Sequence, residues 1–317
     1  MSSPALAIDP APRRLLPLLL LLLQGTAWGL TFPTSKIAVD HGVGPAGYVF
    51  WQTLGAGSVL LLVALIRRRL PHWDRRHLAY YAVCGLVGIT LPNMILLVAV
   101  AHLPASLTAL IVNTSPLVTF AIVLLLGMER FLWRLAAGLA IGFLGAALLA
   151  LRGASLDGGA ALGWVLFGFL GPLCYASVAI FNQRCRPQGS DSLSLACGMV
   201  ILGFAGALPF AAARGEIAPL WPVGPGELAV MIQIAVSCFG YIVQFEVIRM
   251  AGAVYFSQVT YIVAVTALTW SYLLLDEALS PIVGLAVLLI FAGLVLLNWQ
   301  GPRATRPPAP ASERILP

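Results

Sequence analysis

The polar side chains that interrupt the apolar runs of this chain fall in stripes. Ser237, Tyr241 and Gln244 stand at i, i+4 and i+7, the spacing of one helix face. Tyr255, Gln258 and Tyr261 recur every third residue, Gly171, Tyr175 and Asn182 share a face, and so do Gly25, Trp28, Phe32 and Lys36. Asn93 stands beside Pro92, and Asn113 lies just before Pro116. Polar groups at mid-bilayer depth are costly unless they face protein or water, which makes these residues candidates to line a cavity. The competing reading is that Asn and Gln hold helices together and small residues let them approach. Amides, phenols, hydroxyls and an indole bring little charge, so a bound molecule would have an apolar or neutral body rather than being a polyanion.

Groups suited to bond cleavage are scarce. His41, His72, His77 and His102 fall at the ends of apolar runs or between them, with no H-E-x-x-H spacing. The five cysteines, Cys84, Cys174, Cys185, Cys197 and Cys238, form no C-x-x-C pair and read as packing thiols, so no zinc site or disulfide framework is expected. The chain has one lysine, Lys36, and no phosphate-binding loop, so it does not hydrolyse ATP through such a loop, and no cofactor is expected. Lys36 falls near the outer end of its span, where it either snorkels or meets an anion in an outer vestibule. Glu246 either pairs with Arg249 at i+3 or carries a coupling proton. Glu129 and Glu277 end helices and organise the adjacent turns.

The elements that must carry these residues are membrane spans. Hydrophobic residues make up 60% of the 317 and charged residues 9%, which excludes a soluble globule. At roughly 20 residues per crossing, ten spans are expected: 15–37, 47–66, 78–100, 103–126, 135–151, 162–181, 193–213, 228–248, 253–275 and 282–299. The expected fold class is an all-α integral membrane protein of ten transmembrane helices, arranged as two inverted five-helix repeats. Residues 1–14 form a cytoplasmic tail, 15–152 the first repeat, 153–299 the second, and 300–317 a disordered cytoplasmic tail. Arg13-Arg14 before Leu15–Leu23 imitates a signal peptide, but no A-x-A site follows and the apolar run continues, so it reads as the first span. Pro33, Pro92, Pro116 and Pro172 fall within spans and each removes a backbone hydrogen bond, either as a gating hinge or as a packing kink. The loop 214–227, rich in Pro and Gly, is not helical throughout.

Orientation follows from arginine. With the N-terminus inside, 15 of the 17 arginines fall in cytoplasmic segments and only Arg152 and Arg214 outside. Both termini are therefore expected in the cytoplasm. The net charge of +6 reflects this topology and gives no reason to expect nucleic-acid binding.

The two halves close alike. An apolar run ends in Gly127-Met128-Glu129-Arg130 in the first and in Asp276-Glu277 in the second, and Gly145 and Gly293 follow at the same offset. An odd number of spans per half makes the copies face opposite ways, the arrangement many secondary transporters use for alternating access. Trp28-Gly29, Phe32, Lys36 and the Ala105, Pro116, Glu129-Arg130 block, with its counterpart ending in Glu277, resemble the EamA-type repeat of the drug/metabolite transporter superfamily. The second copy departs from the first, with Tyr175 for Trp28, Gln183 for Lys36 and Ala264 for Pro116. The resemblance implies a ten-helix basket around a central cavity, lined mainly by spans one, three, four, six, eight and nine. It also implies a small-metabolite substrate, an amino acid or related compound, moved mostly outward. The expected function is thus secondary transport across a cytoplasmic membrane, with membrane lipids around it, a proton as a possible coupling ion, and a monomeric or homodimeric state. A membrane-embedded enzyme acting on a lipid-linked substrate, and a non-transporting sensor or scaffold, remain the alternatives.

Overall fold

A computed structural model describes residues 12–127, 133–154, 160–251, 259–277 and 280–298, and among them there are helices and no strands. In chain order they are α1 (Pro12–Asp40), α2 (Pro45–Ile66), α3 (Arg75–Gly85), a π-helical turn (Leu86–Thr90) and α4 (Leu91–Val100). Then come α5 (Ala105–Val112), α6 (Ser115–Leu125), α7 (Trp133–Ala154), α8 (Ala160–Gly168) and α9 (Leu170–Cys185). The last four are α10 (Ser192–Ala213), α11 (Pro225–Ala251), α12 (Val259–Leu275) and α13 (Pro281–Asn298). Seven helical segments among the described residues are long and apolar enough to cross a membrane: 16–40, 45–66, 75–100, 105–122, 161–182, 192–213 and 225–244. Two shorter apolar helices cover Ile262–Leu275 and Pro281–Gly293.

The helix ends follow from local chemistry. Asp74 caps α3 by accepting from the N–H groups of Arg76 (3.0 Å) and His77 (3.1 Å), and Asp191 caps α10 through Leu193 N–H (3.1 Å). Proline opens α2, α11 and α13, where its missing N–H would be unpaired in any case. Helix α1 stops after Asp40 because Gly42 takes φ +87°, which lets Val43 N–H reach back to the Ala38 carbonyl. The segment 214–224 between α10 and α11 is not helical, as its Pro/Gly content requires.

Three expected spans are interrupted rather than straight. The third contains the π turn, the fourth breaks at Asn113–Thr114, and the sixth breaks at Phe169. Pro92, Pro116 and Pro172 each lie within three residues after one of these interruptions, where a missing donor costs least. At Pro116 the carbonyl left without its donor is that of Val112, and the Ser115 hydroxyl donates to it instead. Pro33 behaves differently, lying inside an α1 that continues to Asp40.

Helix packing pairs distant segments. Helix α1 lies against α11 and α12, while α9 lies against α4 and α6. Helix α2 packs on α10, and α7 on α13. Leucines on the perimeter, such as Leu62 and Leu288, are exposed, so the helices are apolar outside as well as inside. In such a molecule lipid tails are as apolar as the core, and close packing with interhelical hydrogen bonds carries the association. Both devices are present. A Cβ added at Gly293 would stand 2.6 Å from the Gly138 carbonyl oxygen and 2.8 Å from Gly142 Cα, so α7 and α13 touch backbone to backbone. Helix α1 is tied through its carbonyls: Gln24 Nε2 donates to Gly240 O (2.9 Å), Thr266 Oγ1 to Gly25 O (2.9 Å), and Trp270 Nε1 to Thr26 O (3.0 Å).

Two carboxylates staple the start of one helix to a turn far away in sequence. Glu216, just past the left-handed Gly215 at φ +65°, accepts from the N–H groups of Ala46 (2.7 Å) and Gly47 (3.2 Å) at the start of α2. Glu277, just past the left-handed Asp276 at φ +51°, accepts from those of Ala105 (2.7 Å) and Ser106 (2.8 Å) at the start of α5. Anionic groups at helix N-termini are favoured by the free N–H groups and the helix dipole. Elsewhere, Arg69 pairs with Asp191, and the His77 ring joins the Asp74 carboxylate to the Ser190 hydroxyl, with Nε2 2.8 Å from Oγ.

Candidate functional site

The interrupted helices surround a cavity of about 80 Å³. Helix α1 contributes Thr31, Phe32 and Ser35, spaced so that Thr31 and Ser35 share one face at i, i+4. Helix α2 contributes Tyr48, α4 contributes Asn93, Leu96 and Leu97, α5 contributes Thr108 and Val112, and α9 contributes Tyr175. No charged side chain is among these lining residues.

The hydrogen bonds of the lining decide what it can offer. Ser35 donates its proton to the Phe32 carbonyl (2.7 Å) and Thr108 to the Pro104 carbonyl (3.2 Å). Asn93 donates one amide proton to Ile89 O (2.7 Å), a carbonyl of the π turn, which fixes the side chain and leaves Oδ1 unused. Tyr48 is 2% exposed, and its hydroxyl is buried beside Thr34 of α1. What the site can do chemically is bind: it holds neither a nucleophile–base pair nor a cluster of metal-ligating side chains. Among the described residues no group of three or more His, Cys, Asp or Glu is arranged to hold a metal ion.

Of the residues singled out from sequence, the structure brings Phe32, Asn93 and Tyr175 together at this cavity. Trp28, one turn before Phe32, is half-buried against Leu21, Val243 and Val263 and lies over Gly240. Lys36 forms an ion pair with Asp40 at 3.1 Å along its own helix. Asn113 is buried at the break after α5, donating to the Ala109 carbonyl (2.9 Å). Asn182 is exposed near the end of α9 and accepts from the Tyr80 hydroxyl (2.6 Å).

Ser237 belongs to a separate buried group. It accepts from the amides of Gln52 and Gln233, each at 3.2 Å, between α2 and α11. Tyr241 is half-buried against the cluster containing Leu60, Ile89 and Cys197. Gln244 and Glu246 are half-buried farther along α11, and the Arg249 side chain lies outside the described residues. Gln258, Tyr255 and Glu129 lie outside them too, and so does the side chain of Tyr261, whose backbone belongs to α12.

Sequence reasoning missed Tyr48, Thr31, Ser35 and Thr108. The signal for three of them was periodicity: Thr31 and Ser35 repeat at i, i+4 around Phe32, and Thr108 and Val112 repeat at i, i+4 before the break. Tyr48 had no such signal, since it stands near the start of a helix otherwise spent on packing.

Comparison with known proteins gives concordant results. The profile of the EamA-like transporter family matches residues 15–151 and again 162–299. A probable terminal-alkyne amino-acid exporter of Streptantibioticus cattleyicolor is 24% identical over 278 residues, covering 88% of this chain and 92% of the exporter. The uncharacterized transporter YvbV of Bacillus subtilis is 25% identical over 291 residues, covering 88% of this chain and 90% of its own length. One protein of known crystal structure superimposes with a TM-score of 0.59, covering 92% of this chain and 98% of its own, and at 16% identity that likeness concerns the fold alone. With the family profile matching nearly the whole length, and with several apolar helices of membrane-crossing length, the chain belongs to the EamA-like transporter family of the drug/metabolite transporter superfamily and is a multi-pass membrane protein.

Proposed function

We propose that the protein is a secondary transporter that exports an amino acid or related small amino compound across the cytoplasmic membrane, with both termini in the cytoplasm. The observation that carries this reading is an uncharged, hydrogen-bonding cavity where α1, α4, α5 and α9 meet beside helix interruptions. At about 80 Å³ the cavity is smaller than the roughly 300 Å³ at which small-molecule sites begin. A metabolite therefore enters only as the surrounding helices part, which is what alternating access requires.

Two inverted five-helix repeats, 15–152 and 153–299, supply the moving parts. Reciprocal packing supports them: α1, opening the first half, lies on α11 and α12 of the second, and α9 of the second lies on α4 and α6 of the first. The self-related pairs α2 with α10 and α7 with α13 fit the same pseudo-two-fold relation. The arginine distribution supports the orientation, and the relative named as an amino-acid exporter supports the substrate class and direction. Glu246 is the candidate proton carrier.

The test is flux in proteoliposomes of the purified protein, using amino acids, nucleosides and short metabolites, with and without an imposed pH gradient. The reading requires saturable movement of an amino compound. Gradient dependence that disappears in Glu246→Gln supports proton coupling, and movement of nothing by folded protein overturns the transporter reading.

A further inference from the structure

We infer that the loop 67–74 and the start of α3, together with the end of α9 and the segment after it, form a docking surface for the phosphate head groups of anionic phospholipids. This goes beyond the transporter reading and stands without it, because it concerns what the rim of the protein touches rather than what crosses the membrane.

Arg67, Arg68 and Arg69 directly follow one membrane-crossing segment, 45–66, and Arg75 and Arg76 open the next, 75–100. All five are exposed, and at the ends of spans they stand at head-group depth. Trp73 between them is exposed too, its ring edge-on to Tyr81, and tryptophan favours the same depth. The segment 184–192 is fastened alongside. Arg69 pairs with Asp191, His77 Nε2 lies 2.8 Å from Ser190 Oγ, and Ser194 Oγ donates to Leu70 O (3.2 Å). This segment adds Arg184 and Arg186, both exposed.

Residues 67–77 and 184–192 hold seven arginines against two aspartates, a net charge of +5 with the histidines neutral. Both aspartates are engaged within the surface: Asp74 by His77 and the N–H groups of α3, and Asp191 by Arg69 and Leu193 N–H. Among the described residues, Arg67, Arg68, Arg75, Arg76 and Arg184 meet no acid.

Local stability does not account for these arginines. Arg68 closes α2 at φ +53°, a left-handed place that glycine fills at less cost. Arg75 and Arg76 lie in the first turn of α3, at the positive end of its dipole, where cations are disfavoured. Setting orientation by positive charge requires no left-handed arginine and is served by lysine as well. Guanidinium forks suit a phosphodiester, which each can grip with two hydrogen bonds. Clusters of about 4–8 basic residues beside a span attract anionic lipid in this way.

The test is native mass spectrometry of the intact protein released from micelles holding equal phosphatidylglycerol and phosphatidylcholine. Wild type is expected to retain phosphatidylglycerol roughly tenfold over phosphatidylcholine. Arg75→Gln combined with Arg76→Gln leaves Arg67, Arg68 and Arg69 to hold orientation. It is expected to cut the preference about threefold or more at an unchanged melting temperature. Arg214→Gln, at the opposite end of the spans, is expected to keep the preference. A second reading needs no variant: about 1 M salt, which shortens screening to about 3 Å, should abolish the wild-type preference. Equal retention of the two lipids, a preference indifferent to salt, or an equal loss in Arg214→Gln overturns the inference. Displacement of the lipid by millimolar inorganic phosphate overturns it in favour of a free anion. Binding of a short oligonucleotide to protein in phosphatidylcholine nanodiscs at about 0.15 M salt overturns it in favour of nucleic acid.

Discussion

The carboxylate of Glu277 accepts the backbone N–H of Ala105 at 2.7 Å, so the turn that ends α12 fastens the start of α5, 172 residues earlier in the chain. Its second oxygen takes Ser106 N–H at 2.8 Å, and Glu216 makes the same kind of contact with Ala46 and Gly47 at the start of α2. Helix α2 opens at Pro45 after Gly44 and α5 at Ala105 after Pro104, and neither Gly44 nor Pro104 has a side chain that can cap the first-turn N–H groups. A distant acid supplies the missing acceptors, so helix initiation and tertiary closure are one event.

Removing that acid leaves two helix N–H groups unpaired. Glu277→Ala is expected to lower stability by about 1–3 kcal/mol, and Glu277→Gln by less because one acceptor remains. Melting temperatures in detergent should rank wild type above Gln and Gln above Ala. Equal values for all three would remove the staple from the account.

The α7–α13 contact depends on the absence of side chains. A Cβ at Gly293 meets backbone atoms of Gly138 and Gly142, which cannot rotate away, whereas one at Gly284 on the same helix meets nothing within 4 Å. Gly293→Val is expected to cost about 1–3 kcal/mol or more through overpacking. Gly284→Ala is expected to fold as well as wild type. Monodispersity and melting temperature of the pair check this, and a tolerated Gly293→Val would contradict the close approach.

Acid should loosen the start of α3. The backbone N–H of His77 holds the Asp74 carboxyl below its ordinary value of 3.8, helped by the His77 ring and Arg76 N–H and opposed by partial desolvation. A carboxyl with a lowered value adds stability above pH 3.8 and loses it as the pH falls through the folded-state value. Melting temperature is therefore expected to drop below about pH 4 in wild type and to drop less in Asp74→Asn, which still caps the helix. Identical acid limbs would show that Asp74 contributes nothing.

Lys36 is expected to be dispensable for binding. Its ammonium is taken up by Asp40 one turn away, and such pairs contribute roughly 0–1 kcal/mol. Lys36→Gln should leave the norvaline affinity within about threefold, measured by calorimetry. A loss of tenfold or more would return Lys36 to the site as an anion contact.

Much of this was readable in the chain, for stated reasons. Apolar runs with Pro or Gly punctuation give helix positions directly, and the interruptions at Pro92, Pro116 and Pro172 follow from a missing N–H. Phe32, Asn93 and Tyr175 were legible because a polar or aromatic group beside a proline break or on a small-residue face is unusual in a membrane helix. Trp28 shares the face of Phe32 by spacing, yet it packs over Gly240, because a neighbouring helix covers one turn of that face and leaves the next open. Which turn is covered depends on the partner helix. Ser237 illustrates the same limit, its stripe spacing serving a hydrogen-bonded contact with Gln52 and Gln233. Glu277 was legible as an organiser of turns, but its partner Ala105 was not, since nothing local to either residue names the other.

The central claim is that solute passes through the cavity between α1, α4, α5 and α9. The most direct measurement compares norvaline flux through proteoliposomes of wild-type protein with flux through Val112→Trp, which fills the cavity from a half-buried wall position. With equal reconstitution and matching melting temperatures, the account predicts saturable wild-type flux and a loss of roughly tenfold or more in the variant. Equal flux through both proteins would contradict it, because the path would then lie elsewhere.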